Sequence, residues 1–211
     1  MGTKISARRV ILTSFFVDLL DIVINVAVAL LTGSVVMIAE LFQAIADLIS
    51  SSFLLVGLKR PIKEKVFWTV ASALMMLCFA SSLSFYFGLE RFLHPQKIEN
   101  ILFAYTALLI AALSNGYGFL LSLKRIFAGK RFSGIRGAVG IFRGSKLIMT
   151  KNTFILDLMG ASSAITGLVA LILYQLTGKI SFDGLGAMGI GVILAVLSLD
   201  LLFNVKRNFN S

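Results

Sequence analysis

The 211-residue chain is 58% hydrophobic and 14% charged, with a mean hydropathy of +0.94, more apolar than a water-soluble domain of this size. A transmembrane helix takes ~20 apolar residues, so about six spans consume the chain and leave no room for a soluble domain. A cytosolic enzyme is excluded, as is nucleic-acid binding as the meaning of the +10 net charge; the single cysteine, Cys78, has no intrachain disulfide partner.

Apolar windows predict helices over 10–31, 34–57, 66–89, 101–123, 153–176 and 184–204, each long enough to cross ~30 Å of hydrocarbon at ~1.5 Å per residue. The predicted fold is an all-α membrane protein, one transmembrane domain over 1–211 with six transmembrane helices. Pro61 and Pro95 fall between spans, where a missing N–H does no harm. Thr32-Gly33 and Thr177-Gly178 read as tight turns, with glycine where a left-handed residue ends a helix. The basic start is similar to a signal peptide, but the span after it is too long and carries acids, so it is read as a retained first helix.

Lysine and arginine are retained on the cytoplasmic side of short loops. Seventeen of the twenty fall before the first span, between spans two and three, between spans four and five, or after the last; Arg91, Lys97 and Lys179 fall on the other side. Both the N and C termini are therefore expected in the cytoplasm, and the expected location is the plasma (inner) membrane. The loop over 124–151 holds eight basic residues and no acids, a composition suited to anionic head groups of the lipid bilayer.

Acids within hydrocarbon are costly and face a bundle interior or a water-filled path. Asp18, Asp21 and Asn25 lie at i, i+3, i+7 on the first helix. Glu40, Gln43 and Asp47 repeat that spacing on the second, with Ser50 and Ser51 continuing the face. On the fifth, Asp157 sits about one turn inside the predicted start, followed by Ser162, Ser163 and Thr166. Asp47 lies ~15 Å from the cytoplasmic end of its helix, and the two helices run oppositely. Asp47, Asp157 and Gln43 are thus candidate ligands of one midmembrane metal site, oxygen donors suited to divalent cations; Asp21, Asn25 and Glu40 are candidates to line the path. Simpler readings exist for other charges. Asp183 reads as an N-cap or first-turn acid. Asp18 is close enough to Arg8 and Arg9 to pair with them, and Glu90 with Arg91 reads as a solvated pair.

The segment Leu31-Thr-Gly-Ser-Val-Val-Met-Ile-Ala-Glu-Leu-Phe-Gln-Ala-Ile-Ala-Asp47 resembles the second-helix signature of the cation diffusion facilitator (cation efflux) family, six-helix exporters of zinc, manganese, iron or related divalent ions. Gly88-Leu-Glu-Arg-Phe-Leu-His-Pro95 resembles that family's end of helix three. The stretch from Gly167 to Gly178, then Phe182-Asp183-Gly-Leu-Gly186 and Gly189-Ile-Gly191, resembles helices five and six. The likeness is to a short six-helix branch without the cytoplasmic C-terminal domain. It puts Gln43 and Asp47 at the two ligand positions of helix two, and Asp157 and Ala161 at the two of helix five. An amide and an alanine therefore stand where the family has a histidine or acid.

What the resemblance implies is a divalent metal cation transporter, working by alternating access and metal/proton antiport, possible as a homodimer. Its partners are divalent cations and protons, and it needs no cofactor, zinc, manganese or iron being substrate. Carboxyls shielded from water hold protons that a bound cation displaces, and without imidazole the site is harder than a usual zinc site, which favours manganese or iron. With Ala161 at a ligand position, a non-transporting regulatory or scaffolding subunit is the alternative. An intramembrane lipid-modifying enzyme is the remote one: Asp18-Leu-Leu-Asp21 is followed by Ile22, without the Gly and Ala-Arg that head-group transferases require. The chain is read as not an enzyme.

Overall fold

The computed structural model describes residues 6–128, 140 and 148–209, with the backbone alone at 148 and 204–209. Most of the basic loop predicted over 124–151 lies outside the described residues, as does Lys4. Six helices are long and apolar enough to cross a membrane: α1 (Ala7–Thr32), α2 (Val35–Gly57), α3 (Ile62–Leu93), α4 (Ile101–Ile126), α5 (Ile148–Thr177) and α6 (Ser181–Phe209). Among the described residues there is no strand. The chain is a multi-pass integral membrane protein.

Four helices start earlier than hydropathy predicts: α1 at Ala7, α3 at Ile62, α5 at Ile148 and α6 at Ser181. Hydropathy detects only the part of a helix that sits in hydrocarbon, whereas the helix runs on through polar first turns such as Lys63-Glu64-Lys65 and Thr150-Lys151-Asn152. Pro61 then sets the start of α3, because proline cannot donate into a preceding turn. Ser6 caps α1, its hydroxyl accepting from the Arg9 N–H at 3.1 Å.

Both tight turns form with the same chemistry. Gly33 (φ 61°) and Gly178 (φ 70°) take the left-handed conformation that ends α1 and α5. In each, the preceding threonine hydroxyl donates four residues back, Thr32 to Val28 O and Thr177 to Leu173 O, and accepts from the N–H two residues on, at 3.3 Å in both.

Span α3 is interrupted by a π-helical segment, Met76–Ser81, which the sequence analysis did not anticipate. Past it, α3 and α6 meet through their backbones. A Cβ on Gly88 would lie 2.6 Å from Met188 N, and one on Gly184 the same distance from Phe92 N. Small residues permit such an approach, which is how membrane helices pack where lipid leaves little hydrophobic force between them.

The interior belongs to α2 and α5, half or more of whose apolar windows are buried, 50% and 56%. Large apolar residues such as Phe16, Leu30, Leu113, Leu176 and Phe203 point outward, as lipid requires. The polar faces of α1, α2, α4 and α5 therefore turn inward on one another.

Candidate functional site

Asp18, Asp21, Asn25, Glu40, Gln43, Asp47 and Asp157 are all buried. The earlier start of α5 corrects the depth of Asp157: it lies nine residues, ~14 Å, into its helix rather than about one turn. Asp47 lies ten residues, ~15 Å, from Gly57 at the end of the antiparallel α2, so the two acids share a level.

Their partners are hydroxyls and amides. Ser14 donates to Asp157 Oδ1 at 2.8 Å and Ser122 to Asp157 Oδ2 at 3.3 Å. Ser51 donates to Asp18 Oδ2 at 2.6 Å, and the Asn115 amide to Asp21 Oδ2 at 2.9 Å. Gln43 Nε2 donates to Asp47 Oδ2 at 2.7 Å, while its Oε1 accepts from Ser163, whose hydroxyl also lies against Glu40. None of these five carboxyls is in a salt bridge among the described residues. Two of their oxygens, Glu40 Oε1 and Asp47 Oδ1, are buried with no hydrogen-bond partner among the described residues.

Of the three ligands expected from the sequence, Gln43 and Asp47 are in direct contact. Asp157 lies within electrostatic range of Asp47 but bonds to α1 and α4 instead of to them. Among the described residues, no three histidine, cysteine, aspartate or glutamate side chains are already disposed to hold one ion. Ala161 lies one turn beyond Asp157 and offers no donor.

Helix α4 supplies donors that sequence reasoning missed. Ala111, Asn115, Gly118 and Ser122 are buried at i, i+4, i+7, i+11, a stripe of small and neutral residues facing α5. Gly118 makes room for a carboxyl: a Cβ there would lie 2.8 Å from Asp157 Oδ1. Gly160 on α5 makes room in the same way for the Asn115 amide. Small on one helix thus meets polar on the other, twice, and each pair fixes an acid or its donor.

Of three further expectations two resolve otherwise, and the first-turn position of Asp183 holds with a second role added. Asp18 bonds Ser51 while Arg8 and Arg9 are exposed. Asp183 lies in the first turn of its own helix, yet its carboxylate caps α2, accepting from Ser34 Oγ at 2.6 Å, Val35 N at 2.9 Å and Val36 N at 3.1 Å. Arg91 donates to the carbonyls of Gly33 and Gln96, at 2.6 and 3.2 Å, so the guanidinium latches the α1–α2 turn where a solvated pair with Glu90 was expected.

Comparison with known proteins identifies the family. The family model described as the cation efflux transmembrane domain matches residues 11–208. The proton-coupled zinc antiporter SLC30A9, mitochondrial, of Xenopus laevis is 24% identical over 211 residues, covering 92% of this chain and 37% of that protein. Its counterparts in Homo sapiens and Mus musculus are each 23% identical over 184 residues, covering 82% of this chain and 32% of theirs. The chain spans about a third of the length of these relatives. With six apolar spans in one all-helical bundle and a family model that matches residues 11–208, this chain belongs to the cation efflux, or cation diffusion facilitator, family.

Proposed function

We propose that this protein moves divalent metal cations across the membrane in exchange for protons, through the polar layer between α1, α2, α4 and α5. The observation that carries the reading is the pair of unpartnered carboxyl oxygens, Asp47 Oδ1 and Glu40 Oε1, buried two turns apart on one face of α2 among other acids and without a paired base. An unsatisfied buried acceptor is costly. Either a proton or a cation relieves that cost, and the two compete for the same oxygens.

Asp47, Asp157 and Gln43 are assigned as ligands, with Asp21, Asn25 and Glu40 along the path. Zinc is the cargo in the relatives' names, while a donor set of carboxylate and amide oxygen also suits manganese and iron. Because cation and protons exclude each other, apparent affinity rises with pH, and an opposing proton gradient drives flux. Alternating access follows if the contacts joining α1 to α4 and α5, Asn115 to Asp21 and Ser14 to Asp157, open and reform as the layer faces one side and then the other. The distribution of basic residues supports an orientation with both termini in the cytoplasm, or on the equivalent matrix side if the membrane is mitochondrial, the compartment in the relatives' names.

Proteoliposomes loaded with a metal-sensitive dye test the reading with zinc, manganese and iron in turn. Asp47→Ala and Asp157→Ala each reduce flux at least about 10-fold, the loss that even an outer partner of a metal ligand can produce. Unchanged flux in both variants would sink the assignment. A second reading, a non-transporting subunit, is favoured by Ala161, which supplies no ligand. Absence of both saturable metal binding and flux in the wild-type chain would support that reading.

A further inference from the structure

The contacts of α1 connect Asp18 to both proposed ligand helices. Ser51, which donates to Asp18 Oδ2 at 2.6 Å, stands one turn from Asp47 on the same face of α2. Ser14, which donates to Asp157 Oδ1 at 2.8 Å, stands one turn before Asp18 on the same face of α1. Since α1 and α5 cross in the same direction, one turn beyond the Ser14–Asp157 contact puts Asp18 and Ala161 at the same level. A carboxyl on α1 thus lies level with the position on α5 that has no donor. Asp47, only 3% exposed, lies within electrostatic range of Asp18 and Asp157, and its Oδ1 is without a hydrogen-bond partner among the described residues.

We infer that α1 is a ligand helix in this protein: Asp18 joins Asp47 and Asp157 to make a three-carboxylate site for a divalent cation, taking the place that Ala161 leaves empty. This rests on the transport reading above and extends it. In the structure Ser51 holds the Asp18 carboxyl, and Ser14 with Ser122 holds Asp157. Binding exchanges those hydroxyl donors for the cation, and the oxygen of Asp47 that now has no partner gains one. Three oxygens from separate helices suit a hard or borderline divalent ion. Helix α1 then moves with the loaded state instead of standing outside it.

The probe is Co²⁺, titrated into the purified full chain in detergent micelles and followed by its visible absorption, with Zn²⁺ competition for affinity. Wild type binds saturably. Asp18→Asn, which keeps a hydrogen-bond acceptor for Ser51, weakens binding at least about 10-fold and changes the absorption band, as Asp47→Asn and Asp157→Asn do. Ser51→Ala separates liganding from a mere tie between α1 and α2, because it removes the tie and leaves the carboxylate. In that variant affinity is retained or improved. If Ser51→Ala weakens binding as much as Asp18→Asn, Asp18 is only the tie and the inference is overturned. It is overturned as well if Asp18→Asn binds like wild type while Asp47→Asn and Asp157→Asn do not, an outcome that leaves the transport reading standing. Loss of saturable binding in the wild type removes both. Should Asp18→Asn not yield monodisperse protein, Asp18→Glu moves the carboxylate by one methylene; it shifts the Co²⁺ band if Asp18 is a ligand, and an unchanged band rejects the assignment.

Discussion

Where α3 meets α6 the helices touch through backbone atoms, with Gly88 and Gly184 leaving space on each side. Where α1, α2, α4 and α5 meet, they touch through carboxyls, hydroxyls and amides. The first seam has little chemistry to offer and no slack. The second has slack, because hydrogen-bonded side chains can change partners at small cost while close-packed backbones cannot. Glycine marks the contrast: in the α3–α6 seam it admits a helix, whereas at Gly118 it admits the Asp157 carboxylate. A bundle that must expose a site to two sides needs both kinds of seam, one to stay closed and one to rearrange.

The largest expected effect comes from filling the dry seam. Gly88→Val places atoms against Met188 N and Gly184 O, costs on the order of 3 kcal/mol, and should appear as loss of the monodisperse peak in size-exclusion chromatography. Filling the polar seam acts differently. Gly118→Ala pushes on Asp157, so metal affinity falls about 10-fold while the melting temperature stays near that of wild type. If the two glycine variants behaved alike, the distinction between the seams would fail.

Smaller effects sharpen the comparison. Asp183→Asn weakens the cap on α2 by about 1 kcal/mol; thermal unfolding reads that loss, and metal binding is untouched because Asp183 sits at the turn end, away from the polar layer. Ser122→Ala removes the longer of the two donors on Asp157, at 3.3 Å, and should cost no more than about 1 kcal/mol, leaving metal flux within a factor of about 2.

The layer was legible where its residues are rare in hydrocarbon. Asp18, Asp21, Glu40, Asp47 and Asp157 stand out in apolar helices, and helical spacing put those of α1 and α2 on single faces. The share of α4 was harder to read, since Asn115, Gly118 and Ser122 are neutral and small residues are ordinary in membrane helices; the stripe becomes visible only when Ala111 is counted with them. The capping role of Asp183 was out of reach for another reason. Its partner Ser34 is 149 residues away, so nothing local could separate capping its own helix from capping a neighbour. Helix ends were misplaced by three to five residues at four starts, because hydropathy reports the solvent and not the hydrogen-bond ladder.

The π-helical segment Met76–Ser81 has an effect on what α3 can touch. Before it, Ser72 and Ser50 exchange hydroxyl-to-carbonyl bonds at 3.4 Å, so this half of the helix is turned to α2. From its end onward, Ser81 donates to Gly191 O at 2.8 Å and Gly88 meets Gly184, so the other half is turned to α6. One residue of π-register rotates everything after it by ~100° relative to a continuous α-helix. The span is two recognition faces spliced out of phase, one strand of chain serving two neighbours. Deleting any residue of the segment would bring the splice back into phase and swing one face away from its partner, so the length of Met76–Ser81 is fixed even where, as at exposed Cys78, the side chain is not.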